Sequence, residues 1–338
     1  ELEKAKQTTL RFVYFIQNEL GFKHLGLADD EYPTADRLAL MPYHREGRRL
    51  KGLVRLNIHH IAEPYTYDAP LYRTGISVGD YPIDHHHKKN PAAPQHLEFY
   101  AVPSYNIPLG ALIPEKETGL IVAEKGISVS NVVNGTTRLQ PVVMLTGQAA
   151  GILAALCVQQ GKSPQQVAVR DVQSALLKQK AYIMPYYDVK PNDPHFDAMQ
   201  RIGATGLLKG KGEPWQWANR TWYHPDSLVN GQEFAAGLQE LTGKGQTYNG
   251  TVLTVQDAIE LLFLAIRDAP ATTPSQKFSD ANALMAHAAG QWQPWGLEHF
   301  NGARPVTRRE LSVLLNNIWD PFEKVAVDHE GRSILPGK

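Results

Sequence analysis

The run "NGTTRLQPVVMLTGQAAGILAA", from Asn134 to Ala155, constrains this chain more than any other stretch. Pro141 suits the first turn of a helix, where a missing N–H leaves no bond unmade, and Gly161 can end that helix in the left-handed conformation. Between them Gly147, Gly151 and Ala155 fall on one face, with Ala150 and Ala154 beside them, so that face is nearly bare backbone. Bare backbone permits close approach by a sheet, a second helix or a flat cofactor. The apolar run "GLIVAE" ahead of it reads as a buried strand, and "KGISVSNVVNGTTRLQ" as a loop leading to the helix start. Unpaired N–H groups and a partial positive charge at that start suit an anionic ligand. Arg138 stands in the loop, where packing against a sheet gives its charge no task.

Upstream, "GLVRLNIHHI", "LEFYAVP" and "YNIPLGALIP" are short apolar or alternating runs punctuated by Pro and Gly, which predict strands. "SPQQVAVRDVQSALLKQ" predicts a further helix, with Ser163 and Gln166 forming a capping box around Pro164. After Tyr182, "MPYYDVKPNDPH" reads as a linker, which divides the chain into 1–184 and 185–338. Helical patterns dominate the second part, in "FDAMQRIGATGLL", "NGQEFAAGLQEL", "TVQDAIELLFLAIRDA" and "TRRELSVLLNNIW". Two stretches there, starting at "YYDVKP" and "KFSDAN", look like copies of one pattern.

Composition narrows the function classes. Lys+Arg and Asp+Glu both total 34, so no basic field argues for nucleic acid. Cys157 is the only cysteine, which rules out an internal disulfide and a Cys-based zinc cluster. No apolar run is expected to reach the ~20 residues that span a bilayer. "ELEKAKQTTLRFVYFIQNEL" starts at Glu1 and reads as the middle of an amphipathic helix, so a fragment or processed product is expected.

The stretch "YNIPLGALIPEKETGLIVAEKGISVSNVVNGTTRLQPVVMLTGQAAGILAAL", with "REGRR" and "DHHH" upstream, resembles the C-terminal part of a bacterial FAD-dependent oxidoreductase family whose members are often labelled xanthan lyases. The resemblance implies an α+β or α/β fold, the mixed-sheet part of a two-domain FAD-linked enzyme over 1–184. It implies FAD bound near Ser128, Asn134, Gly135, Arg138, Gly147, Gln148, Arg45 and Arg49, and hydride transfer with His85, His87 or His59 taking up the proton. One departure is large: no G-x-G-x-x-G follows a strand anywhere in the chain, so FAD is expected to bind this chain weakly or not at all, and the chain alone to be inactive. Read without the resemblance, the arginines of "YHREGRRLKG" form a solvated basic patch or an anion site. The histidines His59, His60, His85, His86 and His87 are surface loop residues, acid–base groups or, as a further alternative, the site of a metal-dependent hydrolase.

The second part, 185–338, resembles S-layer homology modules through "FSDANA" and "PVTRREL", which implies a mainly α-helical domain and a cell-wall polysaccharide as partner. Trp215, Trp217, Trp222, Trp292 and Trp295 could form a carbohydrate-stacking surface or anchor a helical bundle. The expected substrate is a small or carbohydrate-related molecule, and the expected location is extracytoplasmic or the cell surface. The rival reading is a non-catalytic surface or glycan-binding protein.

Overall fold

The computed structural model describes residues 1–45, 47–85, 92, 102–215, 217–244, 247–268 and 278–334. The chain forms two compact units, Glu1–Gly47 and Arg48–Lys338. In the first, α1 (Leu2–Asn18) buries none of its residues and is tied to the following loop by an ion pair between Lys6 and Asp36. Gln17 Nε2 also donates to Leu25 O at 2.6 Å.

The second unit is helix-rich α+β. Its elements are α2 (Ile58–Ala62), β1 (Gly75–Gly79), β2 (Tyr105–Pro108), α3 (Asn131–Thr137), α4 (Gln140–Gln160), α5 (Val169–Lys178) and α6 (Phe196–Thr205). There follow β3 (Lys211–Glu213), β4 (Arg220–Trp222), α7 (Gly231–Thr242), α8 (Val255–Asp268), α9 (Ala281–Gln291), α10 (Arg308–Ile318) and the short α11 (Pro321–Lys324). Among the described residues the sheets are two antiparallel pairs, β1 with β2 and β3 with β4.

Several sequence-based expectations are corrected here. "GLVRLNIHHI" is no strand: Gly52 and Leu56 make single bridges to Pro114 and Val129, and Asn57 then starts α2 by accepting from His59 and His60 N–H. "GLIVAE" is irregular, held by Val122 N donating to Leu112 O at 2.8 Å. Most of "LEFYAVP" lies outside the described residues. The loop ahead of α4 contains a helix, α3, because Ser130 Oγ accepts from Val133 N at 3.3 Å and caps it. The Ser163/Gln166 capping box forms, but around a single 3-10 turn, and α5 starts only at Val169.

α4 also overturns the expectation that no helix matches a bilayer in length. At 21 residues with mean hydropathy 1.9 it is long and apolar enough to cross one. Its Val142, Thr146, Ala149 and Leu153 are buried where it packs on β1 and α5, while only 22% of its apolar window is buried in all.

The expected division between 184 and 185 does not coincide with the observed parting at 47/48. Ile183, Met184, Tyr186 and Val189 sit in one apolar core with Ile76, Leu176 and Ile202. Buried polar bonds also cross it: Ile183 N donates to Gln200 Oε1 at 3.0 Å, and Ser104 Oγ to Thr221 Oγ1 at 2.8 Å.

The C-terminal helices share a device. The residues that precede α7, α8 and α10 close a three-membered ring: Val229 N donates to Val306 O (3.0 Å), Val306 N to Leu253 O (2.9 Å) and Leu253 N to Val229 O (3.2 Å). All three side chains are buried. The next residue in each case caps a helix. Asn230 accepts from Glu233 N, Thr254 exchanges bonds with Asp257, and Thr307 forms a capping box with Glu310. α8 therefore shares this start with α7 and α10.

Candidate functional site

Gly135 determines how α3 is used. A Cβ there would meet His85 Nε2 at 2.8 Å and Asp84 O at 2.9 Å, so only glycine lets the segment 84–85 lie against the helix. Asp84 N donates to Gly135 O at 3.3 Å. His85 Nε2 lies 3.0 Å from Val132 O, and since a carbonyl only accepts, the ring carries its proton on Nε2 and its basic lone pair on Nδ1 when neutral. Arg138 ends α3, is 4% exposed, donates from Nη2 to Asp84 O at 2.8 Å and stands 3.7 Å from Asp84 Oδ2. Thr136 Oγ1 donates to Tyr81 O at 2.7 Å and accepts from the Tyr105 hydroxyl at 2.8 Å. Burial holds that phenol well above its ordinary range, so it stays a donor.

The structure thus brings His85, Asn134, Gly135 and Arg138 together around Asp84, as a buried brace. This corrects the expectation that Arg138 has no packing task. The residues that sequence reasoning missed are Ser130, Thr136 and Tyr105. Of these only Ser130 carried a signal, a cap-forming residue ahead of "NVV".

α4 begins directly after the brace. Its N-cap residue, Leu139, offers no side-chain bond, and Gln140 and Pro141 in the first turn are exposed. Gly147, Gln148 and Gly151 are exposed on the side away from the core, and a Cβ added at Gly147 or Gly151 meets nothing within 4 Å. Neither a sheet nor a helix among the described residues covers this face. Its flanks, Met144 and Val158, are 74% and 84% exposed.

The remaining candidates lie elsewhere. Ser128 is buried, donating from N to Ala111 O and accepting from Leu56 N, which is a packing role. His59 is exposed on α2 and stacked on Tyr67, with ring centroids 4.9 Å apart. His86 and His87 lie outside the described residues. Arg45 belongs to the first compact unit and Arg49 to the second. Among the described residues no group of three or more His, Cys, Asp or Glu could hold a metal ion.

A family model described as FAD dependent oxidoreductase matches residues 1–176. No curated protein and no solved structure matches the chain significantly. FAD is the cofactor of that family. The residues present fit its ring end. The open glycine face of α4 could accept a flat ring, and the uncapped helix start and Arg138, whose Nε is buried without a hydrogen-bond partner, add positive potential about two turns ahead of it. They do not fit its diphosphate end, since the described sheets are antiparallel pairs with no strand–glycine-turn–helix cradle.

Proposed function

The chain belongs to the FAD dependent oxidoreductase family, and on that premise we propose that it serves flavin-linked hydride transfer from a small or carbohydrate-related substrate, with the flavin ring against the Gly147–Gly151 face of α4. Bound there, FAD would supply the acceptor for a hydride, that is, for two electrons and one proton. The chain's own residues supply the rest. The bare face admits the ring, and Gln148 offers an exposed amide on the same side. His85, its Nε2–H held by Val132 O, is the histidine of the brace that this reading assigns to proton uptake. The observation that carries this reading is the open glycine face of α4.

Because the fit is to the ring end, free riboflavin should bind almost as well as FAD. Titrating the 338-residue chain with each, by flavin fluorescence and melting temperature, should give weak, saturable binding within about tenfold of one another. No rise in melting temperature with either flavin would overturn the proposal, and FAD binding without riboflavin binding would move the site to a diphosphate cradle elsewhere.

The finer identity, an enzyme of the xanthan-lyase-labelled type carrying S-layer-homology-like modules at the cell surface, is part of the same proposal. It is supported by the three-helix ring and by an exposed aromatic surface. Trp215 and Tyr187 are 52% and 47% exposed, and the Arg220 guanidinium lies 4.9 Å from each ring. That surface suits an anionic cell-wall polysaccharide, and it is the feature that a purely glycan-binding role would also use. Trp292, by contrast, is core, at 1% exposure.

A further inference from the structure

Away from the α4 face, a cavity of about 270 Å³ opens between α2, the start of β2 and the β3–β4 pair. This is room for about nine water volumes, or a ligand of one small ring with a substituent. Its walls are mostly apolar and aromatic, from Ile61, Tyr65, Tyr72, Tyr105 and Met184, and the one charged group among them is Glu63. Most of the polar atoms are already committed to the protein. Ser104 Oγ donates to Thr221 Oγ1 or Pro185 O, Thr221 Oγ1 donates to Ser104 O, and Tyr65 OH accepts from Gly210 N.

Two of the remaining groups form a donor and acceptor pair, and each has one role. His60 Nδ1 accepts the Asn57 N–H at 3.2 Å, so the neutral ring must carry its proton on Nε2. Burial lowers the His60 pKa below its ordinary value of 6.5, which keeps that ring neutral near pH 7. Asn106 is its complement. Both Nδ2 protons go to carbonyls, Tyr72 O at 2.8 Å and Ile183 O at 2.9 Å, so Oδ1 remains as an acceptor.

We infer that this cavity is a binding site for a small neutral ring compound bearing a carboxamide or an equivalent carbonyl and donor pair. The ligand carbonyl accepts from His60 Nε2–H, its N–H donates to Asn106 Oδ1, and its ring lies among the tyrosines. A carboxylate is disfavoured, because the wall holds no cation among the described residues and does hold Glu63. The inference stands independently of flavin binding.

Benzamide is a probe of the right size and polarity. Saturation-transfer NMR on the full chain should show saturable benzamide binding, with benzoate at least about tenfold weaker. His60→Phe keeps the aromatic ring and removes the donor, and should weaken benzamide about tenfold. Since His60 also caps α2, a second variant guards the test: Ala62→Trp, at an exposed position of the wall, should abolish binding without lowering the melting temperature. Absence of saturable binding to the parent chain, equal binding of benzoate, or full binding by a folded Ala62→Trp chain would each overturn the inference.

Discussion

The C-terminal ring and the α3–α4 corner are both built from helix starts, and they finish them in opposite ways. At α7, α8 and α10 the chain supplies everything: Val229, Leu253 and Val306 plug the centre and hydrogen-bond one another, and Asn230, Thr254 and Thr307 cap the helices. At α4 the chain buries one face on β1, yet leaves the first turn uncapped and Gly147 and Gly151 facing open space. A helix end that is satisfied internally contributes to stability. One left open contributes little, and is available to a ligand.

The comparison breaks most easily at the ring. Leu253→Ala removes a fully buried side chain and should cost about 2–5 kcal/mol by urea unfolding, and a cost under about 1 kcal/mol would mean that the ring is not a core. Arg138→Ala comes next. The brace predicts a loss of about 2–3 kcal/mol, because Asp84 O and its carboxylate lose a buried cationic donor. Unchanged stability with weakened flavin binding would instead make Arg138 a cofactor residue alone.

Capping sharpens the contrast at smaller scale. Thr307→Ala should cost about 1 kcal/mol, whereas Leu139→Ser, which gives α4 the cap it lacks, should cost nothing and can add up to about 1 kcal/mol. A loss at Leu139→Ser of the same size as at Thr307→Ala would remove the distinction between the two regions.

What could be read in the sequence was local. Gly161 does end α4 in the left-handed conformation, at φ 63°, and the Ser163/Gln166 box forms where the spacing puts it. The long amphipathic helices of the C-terminal half follow their apolar period. What could not be read depended on partners distant in the chain. α3 carries Asn, Gly and Thr, a composition that favours loops, and it is helical because residues 84–85 pack into the notch at Gly135. Gly52 to Asn57 alternates as a strand does, but its partners offer one bridge each. The third ring member was hidden because α8 lacks the Asp-containing turn that marks the two copies, while its Leu253–Thr254 start is equivalent in space. Among the candidate site residues, the "GQAAG" positions were legible as a bare face. Which side of the helix that face turned to was not, since the sequence could not say whether a sheet would cover it.

The central claim is that the Gly147–Gly151 face is open in the protein and is where the flavin ring lies. The direct measurement is the melting temperature of Gly147→Leu/Gly151→Leu and of the parent chain, each with and without saturating FAD. Without FAD the variant should melt no lower than the parent, and up to about 1 kcal/mol per site more stable, because leucine is the better helix former and nothing stands in its way. With FAD the parent should gain stability and the variant should not. A variant that melts several degrees lower without FAD would show that the face is packed, and a variant that keeps the full FAD-induced gain would show that the ring binds elsewhere.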